Sequence, residues 1–425
     1  MTEKFLQHIW QFGLFNKEEI KTTDGEEIGI LRSGDYNTDS GPDFLNSQIK
    51  IDGMLWAGNV EVHKKASDWF KHGHDKNKAY ENVILHVVLN DDKEIRRVDG
   101  EKIPCFRLNI NEKLINNYNS LIKSEQKISC DKKIKDTEPF VIDFCLENML
   151  IERLEYKTQR IIHQLDETNN DIEEVFYRNL VRNFGFGLNS DPFELLARSI
   201  PSKILIRTCE NTLYTEAILF GQAGFLERDP KEVNDQYYSD LFKNYTYLKK
   251  KYSLNPLEAH IWKFLRLRPA NFPTIRIAQL AGLIKNIKAI RFQLIKKSDF
   301  ESLMNLFKIK VNEYWENHYL FGKKSCRRTK NLSKSTYENL IINTIVPFLF
   351  IYGKQNNLQV FIEKALELLE KCEAENNVII RNWTIAGIKA NNAYQSQALI
   401  QLKTFYCNKK RCLNCTIGNY IIAHT

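Results

Sequence analysis

Acidic and histidine side chains are concentrated near the start of the chain, at spacings that suit a divalent metal. Asp43 follows a Gly-Pro pair and precedes an alternating, strand-like segment. Glu61 and His63 lie two residues apart in the next strand-like segment, and residues with that spacing point to one face of a strand. Carboxylates are preferred by Mg²⁺ and Mn²⁺, and added imidazoles shift the preference towards Zn²⁺, iron or Mn²⁺. We therefore interpret these residues as a candidate metal site.

A second grouping of the same kind surrounds the segment His72-Gly73-His74. Its glycine permits the two imidazoles to approach one another closely. Together with His63 and a nearby carboxylate, they have the composition of a zinc site. The residues considered for this alternative are His63, His72 and His74 with Asp43 or Asp68, and His86 is a further candidate residue in the same region.

The segments that contain Asp43, Glu61 and His63 resemble the PD-(D/E)XK nuclease superfamily. The resemblance covers about residues 1–110 and rests on Pro42-Asp43, on Glu61-x-His63 and on a helix-strand-strand-strand-helix-strand order. It implies that Asp43 and Glu61 are catalytic ligands of Mg²⁺ or Mn²⁺. It also implies that His63, which stands where the family has a lysine, is catalytic and orients or deprotonates the water that attacks a phosphodiester.

The turn between the two candidate strands sets the geometry of this site. Asp52-Gly53 is a signal for a two-residue hairpin turn. A regular ladder from that turn places Phe44 opposite Glu61, and Asp43 then points to the other face of the sheet. We therefore expect a bulge at Gly58, or a kink at the Gly-Pro pair before Asp43, to bring the two carboxylates together.

Three of the nine cysteines lie in the last twenty residues: Cys407, Cys412 and Cys415. Their C-x4-C-x2-C spacing is typical of thiolates around one soft metal ion or an iron–sulfur cluster. We expect Zn²⁺ or an iron–sulfur cluster in this tail, with Cys326 or His424 as the fourth ligand. The alternative is a structural group of reduced thiols.

The charge of the chain is uneven. Residues 1–120 contain 16 basic and 20 acidic side chains, whereas the rest of the chain contains 45 and 33. A basic body behind an acidic domain suits a polyanion such as nucleic acid, and we expect DNA more than RNA. The candidates for contacts with the nucleic-acid backbone are Lys64, Arg266, Arg268, Arg276, Lys409, Lys410 and Arg411. The alternative for the arginines is a network that holds helix ends together.

Strand signals are confined to the beginning of the chain. After a short helix in residues 4–15, the predicted strands are Ile28–Arg32, Phe44–Ile51, 55–63, 83–89 and 102–108. Pro104 predicts an edge position for the last of these strands. From about residue 138 onward the apolar periodicity is helical.

The expected fold class is therefore α+β. We predict an N-terminal mixed α/β, nuclease-like domain at 1–125 and a large all-α domain at 138–405. A cysteine-rich tail, 406–425, is expected to pack on the helical domain. At 43% hydrophobic and 12% aromatic residues, the composition suffices for packed cores and excludes wholesale disorder.

The expected location is the cytoplasm. The longest apolar stretch, residues 341–352, is far shorter than the about 20 residues of a membrane span. The first residues show neither a basic region before an apolar run nor a small-residue cleavage site. We therefore expect neither a signal peptide nor a membrane-spanning helix.

Along essentially its whole length, the chain resembles a bacterial family known as domain of unknown function family 2851. The matching stretches are residues 41–44 (GPDF), 58–63 (GNVEVH), 67–69 (SDW), 83–88 (VILHVV), 221–226 (GQAGFL), 268–273 (RPANFP) and the cysteine tail. This resemblance implies no activity. The nuclease-like pattern favours a metal-dependent nuclease. The alternatives are a non-catalytic nucleic-acid-binding or scaffold protein with a degenerate site, and a zinc-dependent hydrolase that uses the histidine cluster.

Overall fold

The structure, a computed structural model, describes residues 1–17, 20–295 and 300–424. The chain forms two compact units. The first unit consists of Met1–Glu147, Arg381–Lys389 and Ile400–Thr425, and the second consists of Asn148–Ile380 and Ala390–Leu399. The cysteine-rich tail thus belongs to the first unit, whereas the sequence suggested that it packs on the helical domain.

Hydrogen bonds between distant residues explain the position of the tail. The buried Asn117 side chain donates through Nδ2 to the carbonyl oxygens of Ile421 and Ile422, at 3.3 and 3.2 Å. The amine of Lys410 donates to the carbonyl oxygen of Ser124. A buried amide without such acceptors would destabilise the fold by about 1–3 kcal/mol, so these contacts hold the end of the chain against the first unit.

A six-stranded mixed sheet forms the centre of the first unit. Its strands are β1 (Ile28–Arg32), β2 (Asp35–Tyr36), β3 (Phe44–Ile51), β4 (Met54–Lys65), β5 (Val83–Asn90) and β6 (Cys105–Arg107). The order is β1-β3-β4-β5-β6, with β2 paired to β3. Strands β1, β3 and β4 are antiparallel, and β4, β5 and β6 are parallel. The α+β class is confirmed, and β6 lies at the edge that Pro104 predicted.

The helix Glu3–Gln11 packs against β4. It begins after Thr2, whose hydroxyl accepts a hydrogen bond from the backbone N–H of Phe5 (3.3 Å). The buried side of this helix consists of Phe5, Leu6, His8, Ile9 and Trp10. Each fully buried apolar side chain of this size stabilises the fold by about 1.5–3 kcal/mol, which fixes the strand that carries Glu61 and His63.

The hairpin between β3 and β4 contains the predicted turn and an additional irregularity. Asp52 and Gly53 both have positive φ, 47° and 81°, as a two-residue hairpin turn requires. Farther from the turn, β3 has one more residue between Phe44 and Ser47 than the matching segment of β4. This β-bulge shifts the register, so Phe44 pairs with Val60 and not with Glu61, as a regular ladder would require.

Helices make up most of the remaining chain, as predicted. The α-helices are Glu3–Gln11, Asp68–Lys71, Glu112–Lys123, Pro139–Glu167, Ile172–Asn183, Ser190–Ser199, Ser202–Thr208, Thr212–Gln222, Pro230–Val233, Gln236–Tyr252, Pro273–Ile284, Ile287–Ile295, Phe300–Phe307, Lys334–Leu340, Val346–Asn356, Gln359–Lys371, Val378–Ala386, Ala393–Gln401 and Thr416–His424. The second unit also contains a hairpin of β7 (His318–Leu320) and β8 (Lys323–Lys324). Among the residues that the structure describes, no helix has both the length and the apolar character needed to cross a bilayer.

Candidate metal centre

The bulge in β3 brings Asp43 beside Glu61. Because Phe44 pairs with Val60, the preceding residue, Asp43, lies across from Glu61. Residues directly opposite on neighbouring strands share a face of the sheet. The backbone N–H of Asp43 donates to Glu61 Oε2 at 3.0 Å, so the two acidic residues are in direct contact.

The position of this bulge differs from the position that the sequence suggested. At Gly58, a Cβ would lie 2.4 Å from Ile84 Cγ2 and 2.6 Å from the carbonyl oxygen of Asn82. Gly58 therefore allows β5 to begin close to β4. The bulge lies at Asn46 of β3, whose φ of 57° is in the left-handed region that asparagine tolerates better than most residues.

The Asp43 carboxylate is held by two donors. Gln7 Nε2 donates to Oδ1 at 2.8 Å, and the backbone N–H of Val62 donates to Oδ2 at 3.1 Å. The hydroxyl of Tyr36 donates in turn to Gln7 Oε1 at 3.2 Å. Burial, and secondly the charge of Glu61, raise the pKa of Asp43 to about 7. Two carboxylates in this proximity repel one another, and a bound cation would offset that repulsion.

His63 lies two residues after Glu61 on β4, and its side chain is 2% exposed. Its Nδ1 is 2.8 Å from Nε2 of His86 on β5, so one ring donates and the other accepts. Burial lowers the pKa of His63 to about 3 and that of His86 well below 6.5, and both imidazoles are therefore neutral near pH 7. The contact with His86 fixes the His63 ring and leaves Nε2 as a neutral ligand atom.

The link after β4 brings two more imidazoles to this place. The helix Asp68–Lys71 ends before His72, and Gly73, at φ 75°, turns the chain towards His74. His72 Nδ1 lies 3.1 Å from His63 Nε2. Ring nitrogens of His63, His72 and His74 all lie within 4.8 Å of one another, which is the size of a metal site.

Glu61 adds a carboxylate to this histidine trio. Its Oε1 lies 3.4 Å from His63 Nε2 and 3.3 Å from His74 Nε2. Among the described residues, the buried His74 Nε2 has no hydrogen-bond partner. These three imidazoles and one carboxylate fit a metal ion. Coordination would give the lone pair of His74 a partner, and the ion would separate the ring nitrogens and the carboxylate oxygen that now face one another.

Aromatic rings hold His74 in place. The Tyr80 ring stacks on it with centroids 3.9 Å apart, and Trp69 approaches it edge-on at 5.3 Å. The hydroxyl of Tyr80 donates to the carbonyl oxygen of Gly41 at 3.2 Å, two residues before Asp43. Burial raises the pKa of Tyr80 to about 12, so this hydroxyl is neutral at ordinary pH. These contacts connect the histidine link to the start of β3.

The site opens to solvent at His72, which is exposed. The residues that surround His72 and His74 in the chain include Lys71, Lys76 and Lys78, all exposed. The same stretch also contains the acidic residues Asp75 and Glu81, so it presents charges of both signs.

Asp68, the other carboxylate considered for a zinc site, lies outside the metal-sized group. Its Oδ2 accepts a hydrogen bond from the backbone N–H of Lys65 at 3.2 Å, and its Oδ1 is 3.9 Å from the amine of Lys71. It thus stabilises the turn between β4 and the following helix. Its contribution to the centre is the position of His72.

Three residues around the centre have no signal in the sequence: Gln7, Tyr36 and Tyr80. Gln7 precedes Asp43 by 36 residues, and Tyr80 follows Gly41 by 39. Because neither pair belongs to one helix or one hairpin, no local periodicity relates its members. The packing of the first helix and the link against the sheet brings Gln7 and Tyr80 to the centre, and the pairing of β2 with β3 brings Tyr36 there.

Three of the four arginine candidates for nucleic-acid contacts, Arg266, Arg268 and Arg276, lie in the second unit, in different environments. Arg276 is 8% exposed and donates to Gln279 Oε1 at 2.8 Å and to Asn271 Oδ1 at 2.7 Å. This arrangement is the alternative considered from the sequence, in which the arginine holds the start of its helix. Arg266 and Arg268 are exposed, and their side chains are accessible to a ligand.

The lysine candidates also differ from one another. Lys64 is exposed on β4. Lys410 donates to the carbonyl oxygen of Ser124 and to Ser129 Oγ, so its amine holds the tail in place. The amine of Lys409 lies over the Phe405 ring, 5.3 Å from its centroid.

Arg411 is exposed and lines a cavity of about 610 Å³ in the first unit. Gln7 and Tyr36, which are connected to Asp43, also line this cavity. The other lining residues include Lys4 and His8. The cavity therefore joins the cysteine tail to the carboxylate side of the candidate centre, and its lining includes two permanent positive charges.

All nine cysteines of the chain are free thiols. The three tail cysteines belong to the first unit. Cys326 is exposed and belongs to the second unit. His424 lies at the end of the last helix, and its Nδ1 is 3.1 Å from the carbonyl oxygen of Tyr420.

Comparison with known proteins assigns the chain to a family. Residues 3–378 match the family described as "Protein of unknown function (DUF2851)". No curated protein and no solved structure gives a match. The matched residues include the whole histidine centre and end before the cysteine tail. Because the match covers most of the sequence, this chain belongs to the DUF2851 family of proteins of unknown function.

Proposed function

We propose that this protein is a metal-dependent hydrolase that cleaves phosphodiester bonds of nucleic acid. The observation that carries the proposal is the group of His63, His72 and His74, whose ligand atoms lie within 4.8 Å of one another. The Glu61 carboxylate lies 3.3–3.4 Å from two of these imidazoles. Three imidazole nitrogens and one carboxylate favour Zn²⁺, Mn²⁺ or Fe²⁺ over Mg²⁺.

The residues of the centre have separable roles in this proposal. A divalent ion bound by Glu61 and the histidines supplies Lewis-acid activation of a water molecule and of the phosphoryl oxygen. His63 is held by His86, and burial lowers its pKa, so it serves as a neutral metal ligand and does not supply the permanent charge of a lysine. Asp43 adds a second carboxylate, oriented by Gln7 and Val62.

Two features favour a phosphodiester substrate. Glu61 and His63 lie on β4 of a mixed sheet, Asp43 directly precedes the neighbouring strand β3, and these are the residues on which the resemblance to the nuclease superfamily rests. The exposed lysines Lys71, Lys76 and Lys78 are close to His72 in the chain, and Lys4 and Arg411 line the cavity that Gln7, the hydrogen-bond donor to Asp43, also lines. Positive charge at both places suits a substrate with several phosphates.

A cleavage assay with labelled single- and double-stranded DNA and RNA tests the proposal. We expect cleavage with Mn²⁺ or Zn²⁺ that falls by about 100-fold or more in Glu61→Gln, which keeps the size of the side chain and removes the charge. The matched control is His260→Ala, since the His260 side chain is 76% exposed in the second unit. Equal activity of wild type and Glu61→Gln would refute the assignment.

The three-histidine composition also favours a second candidate, a zinc-dependent hydrolase of other substrates. Chromogenic bis-nitrophenyl phosphate and nitrophenyl acetate separate the two candidates. Zinc-dependent turnover of the acetate without turnover of the phosphodiester would select this candidate. Salt-dependent binding of nucleic acid without any turnover would select a non-catalytic binding protein with a degenerate site.

A further inference from the structure

Five cysteines from three segments of the chain lie together in the first unit. In the sequence, all five follow the histidines of the candidate metal centre. Cys130 lies in the loop between the helices Glu112–Lys123 and Pro139–Glu167, and Cys145 lies in the second of these helices. The other members of this cysteine group are the tail residues Cys407, Cys412 and Cys415.

Specific contacts attach the tail to the loop that carries Cys130. Lys410, between the first two tail cysteines, donates to the carbonyl oxygen of Ser124 and to Ser129 Oγ. The carbonyl oxygen of Cys130 accepts from the backbone N–H groups of Lys133 and Ile134, at 3.0 and 2.9 Å. The loop is therefore fixed both by its own turn and by the tail.

Tight turns present the tail thiols to this loop. Lys410, at φ 51°, closes a turn by donating its N–H to the carbonyl oxygen of Cys407 at 3.2 Å. A Cβ at Gly418 would lie 2.2 Å from the carbonyl oxygen of Cys412, so the last helix must have glycine here to pack against the turn. Cys415 directly precedes that helix.

Each of four thiols lies within electrostatic reach of the other three. Burial, and then the neighbouring Cys415, Cys407 and Cys412 sulfurs, raise the pKa of Cys130. The same kind of influence joins Cys407 to Cys412 and Cys415, and Cys412 to Cys415. Four partly or fully buried thiols that lie this near one another can share a bound cation.

Cys145 has a different place in the group. Its S–H donates to the Cys415 sulfur, and this contact raises the pKa of Cys145 and lowers that of Cys415. The N–H groups of Gly418 and Ile417, in the first turn of the last helix, also donate to the Cys415 sulfur. The Cys415 sulfur thus has three hydrogen-bond donors, one of which is Cys145.

Two kinds of metal centre require different spacings of the cysteine sulfurs. A single zinc ion with bonds of about 2.3 Å requires four sulfurs roughly 4 Å apart. Among the described residues, the metal-sized group with ligand atoms within 4.8 Å is the histidine trio, and no cysteine belongs to such a group. A four-iron cluster spreads its ligands more widely, because each thiolate binds a different iron.

We propose that Cys130, Cys407, Cys412 and Cys415 bind a [4Fe–4S] cluster. Cys145 is a positioning residue that donates a hydrogen bond to the Cys415 ligand. The cluster joins the loop after the helix Glu112–Lys123 to the tail, and it thereby holds Arg411 at the cavity beside Gln7.

Cys130 replaces the fourth ligands that the sequence suggested. His424 lies at the far end of the helix that Cys415 precedes, roughly 12 Å along its axis. Cys326 is exposed and has no cysteine or histidine neighbour within two residues. Cys130, by contrast, lies near all three tail thiols, since each of them contributes to its raised pKa, and the neighbouring Ser129 is bonded to the tail through Lys410.

The test uses the full-length protein, purified and reconstituted without oxygen with iron, sulfide and a thiol reductant. We expect four irons and four acid-labile sulfides per chain and a broad absorption near 400 nm. Cys130→Ser should lose most of this iron, whereas Cys326→Ser, the matched control, should keep it. Circular dichroism and gel filtration of each variant show whether it is folded.

Several outcomes would overturn the proposal. They are one zinc per chain in place of iron, no uptake of iron, or full iron content in Cys130→Ser. If Cys130→Ser does not fold, the spectrum of the reduced wild type decides, because electron paramagnetic resonance distinguishes a four-iron cluster from a single iron bound by four thiolates.

The role of Cys145 has a separate readout. We expect Cys145→Ala to keep four irons and to have a lower reduction potential, because loss of a hydrogen bond to a ligand sulfur disfavours the more negative, reduced cluster. Loss of iron in a folded Cys145→Ala protein would instead make Cys145 a ligand and would overturn its assignment as a positioning residue.

Discussion

At the scale of single residues, Glu61 and His63 each connect two parts of the centre. Glu61 Oε2 accepts from the backbone of Asp43, while Oε1 faces His63 and His74. His63 Nδ1 faces His86, while Nε2 faces His72. One atom of each side chain therefore holds the side chain in place, and the other atom can bind a metal ion. This is the arrangement of preorganised metal sites.

Removal of His86 should weaken metal binding although His86 is not a proposed ligand. His86→Ala frees the His63 ring to rotate, so we expect zinc affinity to fall by about 10–100-fold. Competition with a chromophoric chelator measures this affinity. His163→Ala is the control, since that side chain is 74% exposed in the second unit. Unchanged affinity in His86→Ala would show that His63 does not depend on this contact.

At the scale of elements, the bulge in β3 decides whether the hairpin can form the centre. A regular ladder leaves Asp43 and Glu61 on opposite faces, and one additional residue reverses this relation. The left-handed backbone of Asn46 accommodates that residue. The bulge that matters for the site is thus a local departure from the alternating pattern that predicted β3.

Substitution of Asn46 tests the bulge. Asn46→Val places a β-branched residue at φ 57°, and we expect the free energy of unfolding to fall by about 1–2 kcal/mol. We also expect weaker metal binding, because the strain favours a register without the bulge. Lys50→Val, at an exposed position of the same strand, is the control. Urea unfolding and the chelator assay measure both effects, and equal stability of the two variants would contradict the prediction.

The helix Thr212–Gln222 of the second unit contains a buried carboxyl group that couples stability to pH. Burial raises the pKa of Glu216 to about 7 from an ordinary value of 4.5. Asn312 Nδ2 donates to Glu216 Oε2 at 3.1 Å, and Tyr237 and Lys285 also favour the charged form. Burial outweighs these three groups, so the folded protein binds this proton more tightly than the unfolded chain does.

The contribution of Glu216 to stability is therefore present below pH 4.5 and is lost as the pH rises to about 7. Relative to Glu216→Gln, we expect the wild-type free energy of unfolding to fall by about 3 kcal/mol over this interval. Urea unfolding of both proteins at pH 5 and pH 8 measures the difference. A constant difference between them would mean that Glu216 titrates normally.

At the scale of the whole molecule, the grouping of the tail with the first unit places a basic residue near the centre. Arg411 lines the cavity that Gln7 and Tyr36 also line. We expect Arg411→Ala to weaken nucleic-acid binding and to lower the slope of log affinity against log salt by about one. Lys50→Ala, exposed on β3 and seven residues from Asp43, should leave the slope unchanged. Equal slopes for wild type and Arg411→Ala would exclude Arg411 from the interface.

Much of the fold follows from local patterns in the sequence. Alternation predicted β3 and β4, Asp52-Gly53 predicted their turn, and helical periodicity predicted most of the remaining chain. These patterns are readable because side-chain periodicity and turn preferences depend on neighbouring residues. The position of the cysteine-rich tail in the first unit could not be predicted from the sequence, since the hydrogen bonds that hold the tail join residues about 300 positions apart.

The sequence by itself determined which residues could bind metals: Asp43, Glu61 and the histidines near the start, and the cysteines near the end. The tertiary structure alone decided how they are grouped. The bulge at Asn46 places Asp43 beside Glu61, and the link after β4 places His72 and His74 beside His63. The packing of the tail against the first unit brings the three tail cysteines near Cys130. Residue chemistry is a property of each side chain, whereas a metal site requires distances between segments that only long-range packing sets.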